Sequence, residues 1–209
     1  MGRETGAKCR LCRREAMKLF LKGRRCYTSK CAIETGRPAP GVTAGRRPRK
    51  TSDYGVQLRE KQRLRRFYGL REGQFRRFFD RAAARRGVTG ETLLQLLELR
   101  LDNIVYRLGF APSRAAARQL VRHNHVRVND RKATVPSMTL KEGSVITVRD
   151  KANSREYCTL SVEATDACAL TEWLALDKEK LQGTVLHVPS RDEIAPAMNE
   201  QLVVELYSK

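Results

Sequence analysis

The sequence lacks the segments that would carry a helix into a membrane. No apolar run reaches the roughly eighteen residues that span a bilayer, and the N-terminus has no apolar stretch of the secretory kind. A myristoylation signal is missing too, because Gly6 stands where Ser or Thr is needed. The expectation is a soluble, intracellular protein. Catalytic motifs are equally scarce: the chain has no P-loop, no G-x-S-x-G and no H-E-x-x-H. His123, His125 and His187 have no evident Cys or Ser nucleophile beside them, and no paired acids suggest a cleft. No enzyme and no small-molecule substrate are expected. Internal repeats and low-complexity tracts are also absent.

Acidic residues are in deficit. Lys and Arg number 42 against 23 Asp and Glu, for a net charge of +19 and a pI near 10.3. The excess is concentrated, since residues 1–150 sum to +23 and residues 151–209 to −4. That asymmetry describes a polyanion-binding body with a near-neutral tail. A predominance of Arg favours phosphate, which guanidinium grips through two hydrogen bonds. Nucleic acid is therefore the expected partner. The competing polyanion, an anionic membrane surface, would need a basic amphipathic anchor, and none stands out.

Six cysteines are present, and four of them, Cys9, Cys12, Cys26 and Cys31, crowd into the first 31 residues. In a reducing compartment two short-spaced pairs are better explained by metal thiolates than by disulfides. Zinc with four protein ligands and no open position is the favoured occupant, and the role is then structural. An iron or iron–sulfur centre, a redox pair and non-ligating cysteines stay open. Cys158 and Cys168 lie apart, beside leucines, and read as small buried apolar groups.

Along the chain, apolar spacing in residues 13–22 predicts a short helix linking the two cysteine pairs. Residues 35–52 are rich in Pro, Gly and Arg and read as an arm without a core. Helices are expected from Asp53 to Gly87, with Leu64, Phe67, Phe75, Phe78 and Phe79 inward and basic residues on the other faces. Leu93, Leu97, Leu101, Ile104, Val105 and Leu108 form one continuous helical stripe closed by Gly109. Ser113 is an N-cap for a second helix ending near Asn124. At about 100° per residue, Arg114, Arg118 and Arg122 share one arc of about 80°, with Ala116, Ala117, Leu120 and Val121 expected to face inward. This predicts an Arg stripe that points away from the core, flanked by Arg100, Arg107, His123, His125 and Arg127. Asp102 reads as an internal partner for a nearby Arg. Alternating β-branched residues predict a small antiparallel sheet from Val126 to about Leu160. Ser190 to Glu193 has a capping-box pattern, and residues 199–207 fit a helix slightly better than a strand.

Three blocks then resemble one family in order. Residues 100–130, RLDNIVYRLGFAPSRAAARQLVRHNHVRVND, are similar to the S4 RNA-binding motif. SDYGVQLREKQRLRRFYGL at 52–70 resembles the helical segment ahead of that motif in the bacterial ribosomal protein S4 family, and NEQLVVELYSK at 199–209 resembles its C-terminus. The alternative, a free-standing S4-domain RNA chaperone or RNA-modifying protein, leaves the first and last blocks unexplained. The resemblance implies an α+β fold. A mainly helical domain (51–98, completed by 166–209) encloses an inserted S4 RNA-binding domain (99–165) of two helices plus a small antiparallel sheet, after a zinc-bound N-terminal arm (1–50).

It further implies a structural component of the small ribosomal subunit, cytoplasmic, that binds the 5′ domain of 16S rRNA as a primary binder and nucleates 30S assembly. Contacts to rRNA are implied at Tyr54, Gln57, Lys61, Arg65, Tyr68, Arg100, Arg107, Ser113, Arg114, Arg118, Gln119, Arg122, His123, His125 and Arg127. Arg46, Arg47, Arg49 and Lys50 are implied to line the channel through which mRNA enters, beside ribosomal proteins S3 and S5, and to bear on translational accuracy. The four N-terminal cysteines resemble the zinc-bearing variant of the family. Two positions depart from the family pattern. Asn124 stands where His-Gly-His is usual, and Asp130 where Asn-Gly is usual. Asn and Asp tolerate the left-handed region, so the backbone path is expected to survive.

Overall fold

The computed structural model describes residues 4–41, 51–165, 171–194 and 198–208. Arg46, Arg47, Arg49, Lys50 and Cys168 lie outside the described residues. The chain forms two compact units, residues 1–92 with 196–209 and residues 93–195.

The first unit begins with α1 (Lys8–Glu15) and a short 3-10 helix (Gly23–Tyr27), followed by α2 (Asp53–Phe67) and α3 (Glu72–Ala83). α2 starts where the Ser52 hydroxyl accepts the Gly55 N–H, and it stops at Gly69, whose φ of +66° reverses the chain. On α3, Phe75, Phe78, Phe79 and Ala82 are buried at helical spacing, while Arg76, Arg77 and Arg81 are exposed. Burying such a phenylalanine contributes roughly 1.5–3 kcal/mol. α8 (Glu200–Tyr207) returns along α2 and closes this core, its Tyr207 ring 4.6 Å from Phe79.

The boundary between the units falls within α4 (Thr89–Glu98). The second unit contains α5 (Leu101–Arg107), α6 (Arg114–Arg122), α7 (Ala152–Thr165) and five strands: β1 (Val126–Val128), β2 (Arg131–Lys132), β3 (Val145–Val148), β4 (Leu174–Asp177) and β5 (Gln182–Val185). The sheet is antiparallel throughout, in the order β2-β1-β3-β5-β4. Ile104 and Val105 of α5 and Leu108 at its C-cap pack with Ala117 and Val121 of α6, Val126, Ile146 and Val185 of the sheet, and Trp173 in one core. The mixture of a helical unit and a small sheet is the α+β class.

Several local expectations are corrected. The helix expected over 13–22 instead covers Lys8–Glu15 and ends at Ala16, in the left-handed region at φ 53°, so the helix itself carries Cys9 and Cys12. The stripe expected as one helix over 93–109 breaks at Arg100, which is extended (ψ 137°) and bridges Thr139. There Leu101 N–H donates to Met138 O and Leu140 N–H to Leu99 O, so strand-like pairing replaces helical bonds. The sheet does not run to Leu160, since residues 152–165 are α7, and its last two strands, β5 beside β3 and β4 at the edge, come from 174–185. The tail expected to complete the helical domain therefore divides: β4 and β5 pair into the S4-side sheet, and the segment from 196 onward belongs with the helices. The pattern at Ser190 makes a turn, with Ser190 N–H donating to Glu193 Oε2, and residues 191–194 are turn and bend rather than helix.

Candidate nucleic-acid interface and cysteine site

The α5–α6 pair is held by ionic networks that use several of the arginines expected to face RNA. Arg100 is 2% exposed and donates from Nε and Nη2 to the two Asp102 oxygens at 3.0 and 2.7 Å. Arg118 Nη1 reaches the same carboxylate at 3.2 Å. Arg107 makes a two-pronged pair with buried Glu98 at 3.1 and 2.7 Å, and the Asn103 amide donates to Glu98 Oε2 at 2.6 Å. Asn103 Oδ1 in turn accepts Arg114 Nε at 2.8 Å, with the Arg114 guanidinium 4.6 Å over the Tyr106 ring. The stripe does not point wholly outward as expected: Arg114 is 8% exposed, Arg118 is half-buried and Arg122 is exposed. The cause is local. The first turns of α6 face Asp102 and Asn103 of α5, and buried charge in such a place must be paired. Ser113 is the N-cap, accepting Ala116 N–H at 3.3 Å.

Beyond that scaffold lies an open basic edge. Arg122, His123, Arg127, Arg131 and Lys132 are exposed, and among the described residues Arg122, Arg127, Arg131 and Lys132 make no ion pair. β1 alternates strictly, with Val126 and Val128 inward and Arg127 outward. Arg127 stands opposite Lys132, and Val128 opposite Arg131. Asn129 and Asp130 close the hairpin at φ 47° and 59°, and Asn124 sits at φ 62°, so all three take left-handed conformations. Asn124 and Asp130, the two departures from the family pattern, thus both occupy the left-handed region. The His123 and His125 rings lie nearly parallel, 11° apart. His125 Nδ1 meets Ser154 Oγ at 2.9 Å. Burial, then the charges of His123, Arg149 and Lys151, lower the pKa of His125 and favour its neutral form. Gln119 is exposed on α6.

In the first unit, Tyr54 is 59% exposed, whereas the other expected contacts there are engaged within the fold. Gln57 donates to Glu205 Oε2 at 2.9 Å, Lys61 to Glu72 Oε1 at 2.7 Å, and Tyr68 is buried edge-on to Phe67. Arg65 donates to Gln62 Oε1 at 2.8 Å and lies 3.6 Å from Glu72. Spacing on a helical wheel did not separate these from the open cations Arg77, Arg81, Arg85 and Arg86.

Cys9, Cys12, Cys26 and Cys31 line one small cavity of about 10 Å³, together with Leu21, Ala32 and Ile33, and all four are free thiols. Lys22 N–H points at Cys26 Sγ, 3.4 Å away. Burial raises the pKa of Cys12 and of Cys26, and the neighbouring cysteines add to it; N–H groups of Leu19 and Lys22, respectively, oppose it. Among the described residues no group of three or more His, Cys, Asp or Glu side chains closes into a metal-holding cluster. The donor set nevertheless fits a soft cation, with four sulfurs, an apolar wall and a backbone donor to one sulfur. No described helix is long and apolar enough to cross a membrane.

The second unit has the two helices and small sheet of an S4-type RNA-binding domain. Residues 99–146 match the profile of the S4 domain, and residues 3–98 match that of the ribosomal protein S4/S9 N-terminal domain. Over its full length the chain is 53% identical to the small ribosomal subunit protein uS4 of Acidithiobacillus ferrooxidans and 55% identical to that of Geobacter metallireducens, each relative also being covered over 100% of its length. It is 52% identical over 210 aligned residues to uS4A of Symbiobacterium thermophilum, again with 100% of both chains covered. The chain belongs to the uS4 family of ribosomal proteins.

Proposed function

We propose that this uS4-family chain is a primary binder of the 5′ domain of 16S rRNA that nucleates small-subunit assembly. As a member of that family it is a structural protein of the small ribosomal subunit, not an enzyme, and works in the cytoplasm. The observation that carries the rRNA reading is the division of the S4-domain cations. Arg100, Arg107 and Arg118 are neutralised inside the domain, while Arg122, Arg127, Arg131 and Lys132 have no acidic partner among the described residues. Unpaired guanidinium and ammonium groups along a helix end and a hairpin gain most from phosphate, which releases counterions as it binds.

The same reading extends to the arm. Arg46, Arg47, Arg49 and Lys50 would border the mRNA channel beside ribosomal proteins S3 and S5 and influence accuracy. Cys9, Cys12, Cys26 and Cys31 would hold one structural Zn²⁺, which fastens a segment too small to build its own core. Lys and Arg around that module offset the charge of four thiolates and leave a basic surface for rRNA.

The test is binding to a 16S 5′-domain transcript across a salt series. Changing Arg122, Arg127 and Arg131 together to Ala should leave the fold intact and lower the slope of log K against log salt by about 2–3. An unchanged affinity and slope would remove the edge from the interface.

A further inference from the structure

Between α6 and the start of α7 lies a cavity of about 270 Å³ lined by Ala116, Gln119, Leu120, His123, His125, Asn153, Ser154 and Tyr157. It lies wholly within the second unit. Its size is just below the roughly 300–1,000 Å³ of pockets that take drug-sized ligands, which suits a single planar heterocycle rather than a larger molecule.

The walls are sorted by chemistry. Ala116 and Leu120, four residues apart on α6, supply an apolar floor. His123 and His125 give two near-parallel rings, and Tyr157, which is 43% exposed, gives a third aromatic surface. Gln119 and Asn153 place exposed amides at the mouth, each able to donate and accept. Ser154 is buried and fixes His125 through its hydroxyl at 2.9 Å. Charge lies outside the cavity: exposed Arg122 precedes His123, Arg149 N–H donates to His125 O, and Lys151 follows two residues later. Aromatic faces and amides within, with cations around, form the arrangement by which proteins hold an unstacked base of single-stranded RNA.

We propose that this cavity receives one unstacked nucleobase, preferentially adenine, of the RNA bound along the neighbouring basic edge. Adenine is favoured because amide side chains pair with its N6 and N7, whereas guanine is most often read by Arg or Lys, neither of which lines the cavity. The proposal rests on the rRNA reading above and adds a base-specific subsite to it. Asn153, Ser154 and Tyr157 come from a helix that sequence periodicity did not reveal, so none of them was among the expected contacts.

The experiment compares the full-length chain with Tyr157→Ala and Asn153→Ala in binding to the 16S 5′-domain transcript over a salt series, with circular dichroism as the check of folding. Both side chains are exposed, so both variants should fold. Loss of a stacked base should weaken binding roughly 5- to 100-fold in Tyr157→Ala, with the salt slope unchanged because no phosphate contact is lost. In a second arm, adenosine monophosphate should shift the side-chain amide resonances of Gln119 and Asn153, and ribose 5-phosphate should not. If the unaltered chain binds the transcript and Tyr157→Ala binds it equally, the pocket is wrong and the rRNA reading stands. If the unaltered chain does not bind, both fall. Equal shifts from ribose 5-phosphate, or none from adenosine monophosphate, would also overturn the base assignment.

Discussion

Asp102 is the side chain whose removal best separates scaffold from interface. Its carboxylate accepts two hydrogen bonds from Arg100, at 3.0 and 2.7 Å, and one from Arg118 at 3.2 Å. Arg100 is one of the largest fully buried side chains of the molecule and cannot turn to water when its carboxylate is lost. Asp102→Ala therefore leaves a buried guanidinium without its counter-charge, a change that costs about 3–5 kcal/mol. For a chain of this size each kcal/mol moves Tm by about 2–4 °C, so a fall of about 6–20 °C is expected in a calorimetric scan. The pair Arg100→Met with Asp102→Ala removes the most deeply buried ion pair and should recover part of that loss, because a buried ion pair replaced by apolar groups is often close to neutral, while Arg118 still lacks its carboxylate. At a temperature where Asp102→Ala is folded, its affinity for RNA should stay within a few-fold of the original. A Tm unchanged within about 2 °C, together with a large loss of RNA affinity, would refute the scaffold role and return these arginines to the interface.

The Cys158 thiol is fully buried and pushed up to about 11 by burial alone, so iodoacetamide at pH 8 should spare it in the folded protein and label it in urea. Rapid native labelling, seen by peptide mass spectrometry, would contradict that packing. At Glu72, burial raises the carboxyl pKa, but hydrogen bonds from Lys61 and Tyr207 and the charge of Arg65 outweigh it and hold it below 4.5. Its stabilisation of the α2–α3–α8 core is then present above about pH 4.5 and fades as pH falls through the lowered value. Glu72→Gln should lower stability by about 1 kcal/mol or less at pH 7, since the carboxylate is half exposed, and the difference should vanish in acid. Equal denaturant midpoints at pH 7 would count against it. Elemental analysis of the reduced protein should give about one zinc per chain, and chelation should unfold residues 8–37 while leaving the S4-domain core intact by hydrogen exchange. Iron, or disulfides formed under reducing preparation, would overturn the zinc assignment.

Much of this was legible in the residues, and the failures share a cause. Ser113, Asn124, Asn129 and Asp130 marked a helix start, a helix end and a hairpin because cap and turn chemistry is local. Asp102 read correctly as an internal partner of arginine. The break at Arg100 was hidden because both halves carry the same apolar stripe, and only pairing with residues 136–140 interrupts it. α7 was missed because ANSREYCTLSVEAT has no clear apolar face, and β4 and β5 because strands distant in sequence joined the sheet. At the interface, spacing alone could not separate arginines that meet Asp102, Glu98 or Asn103 from those left to solvent. That distinction depends on which side of α6 abuts α5.

The most direct test of rRNA binding through the open edge is a hydroxyl-radical footprint of the full chain on 16S rRNA, repeated with the Arg122, Arg127 and Arg131 to Ala variant. Protection is expected at a multi-helix junction in the 5′ domain, and it should weaken in the variant at matched salt. No protection in that domain, or the same protection with and without the three arginines, would contradict it.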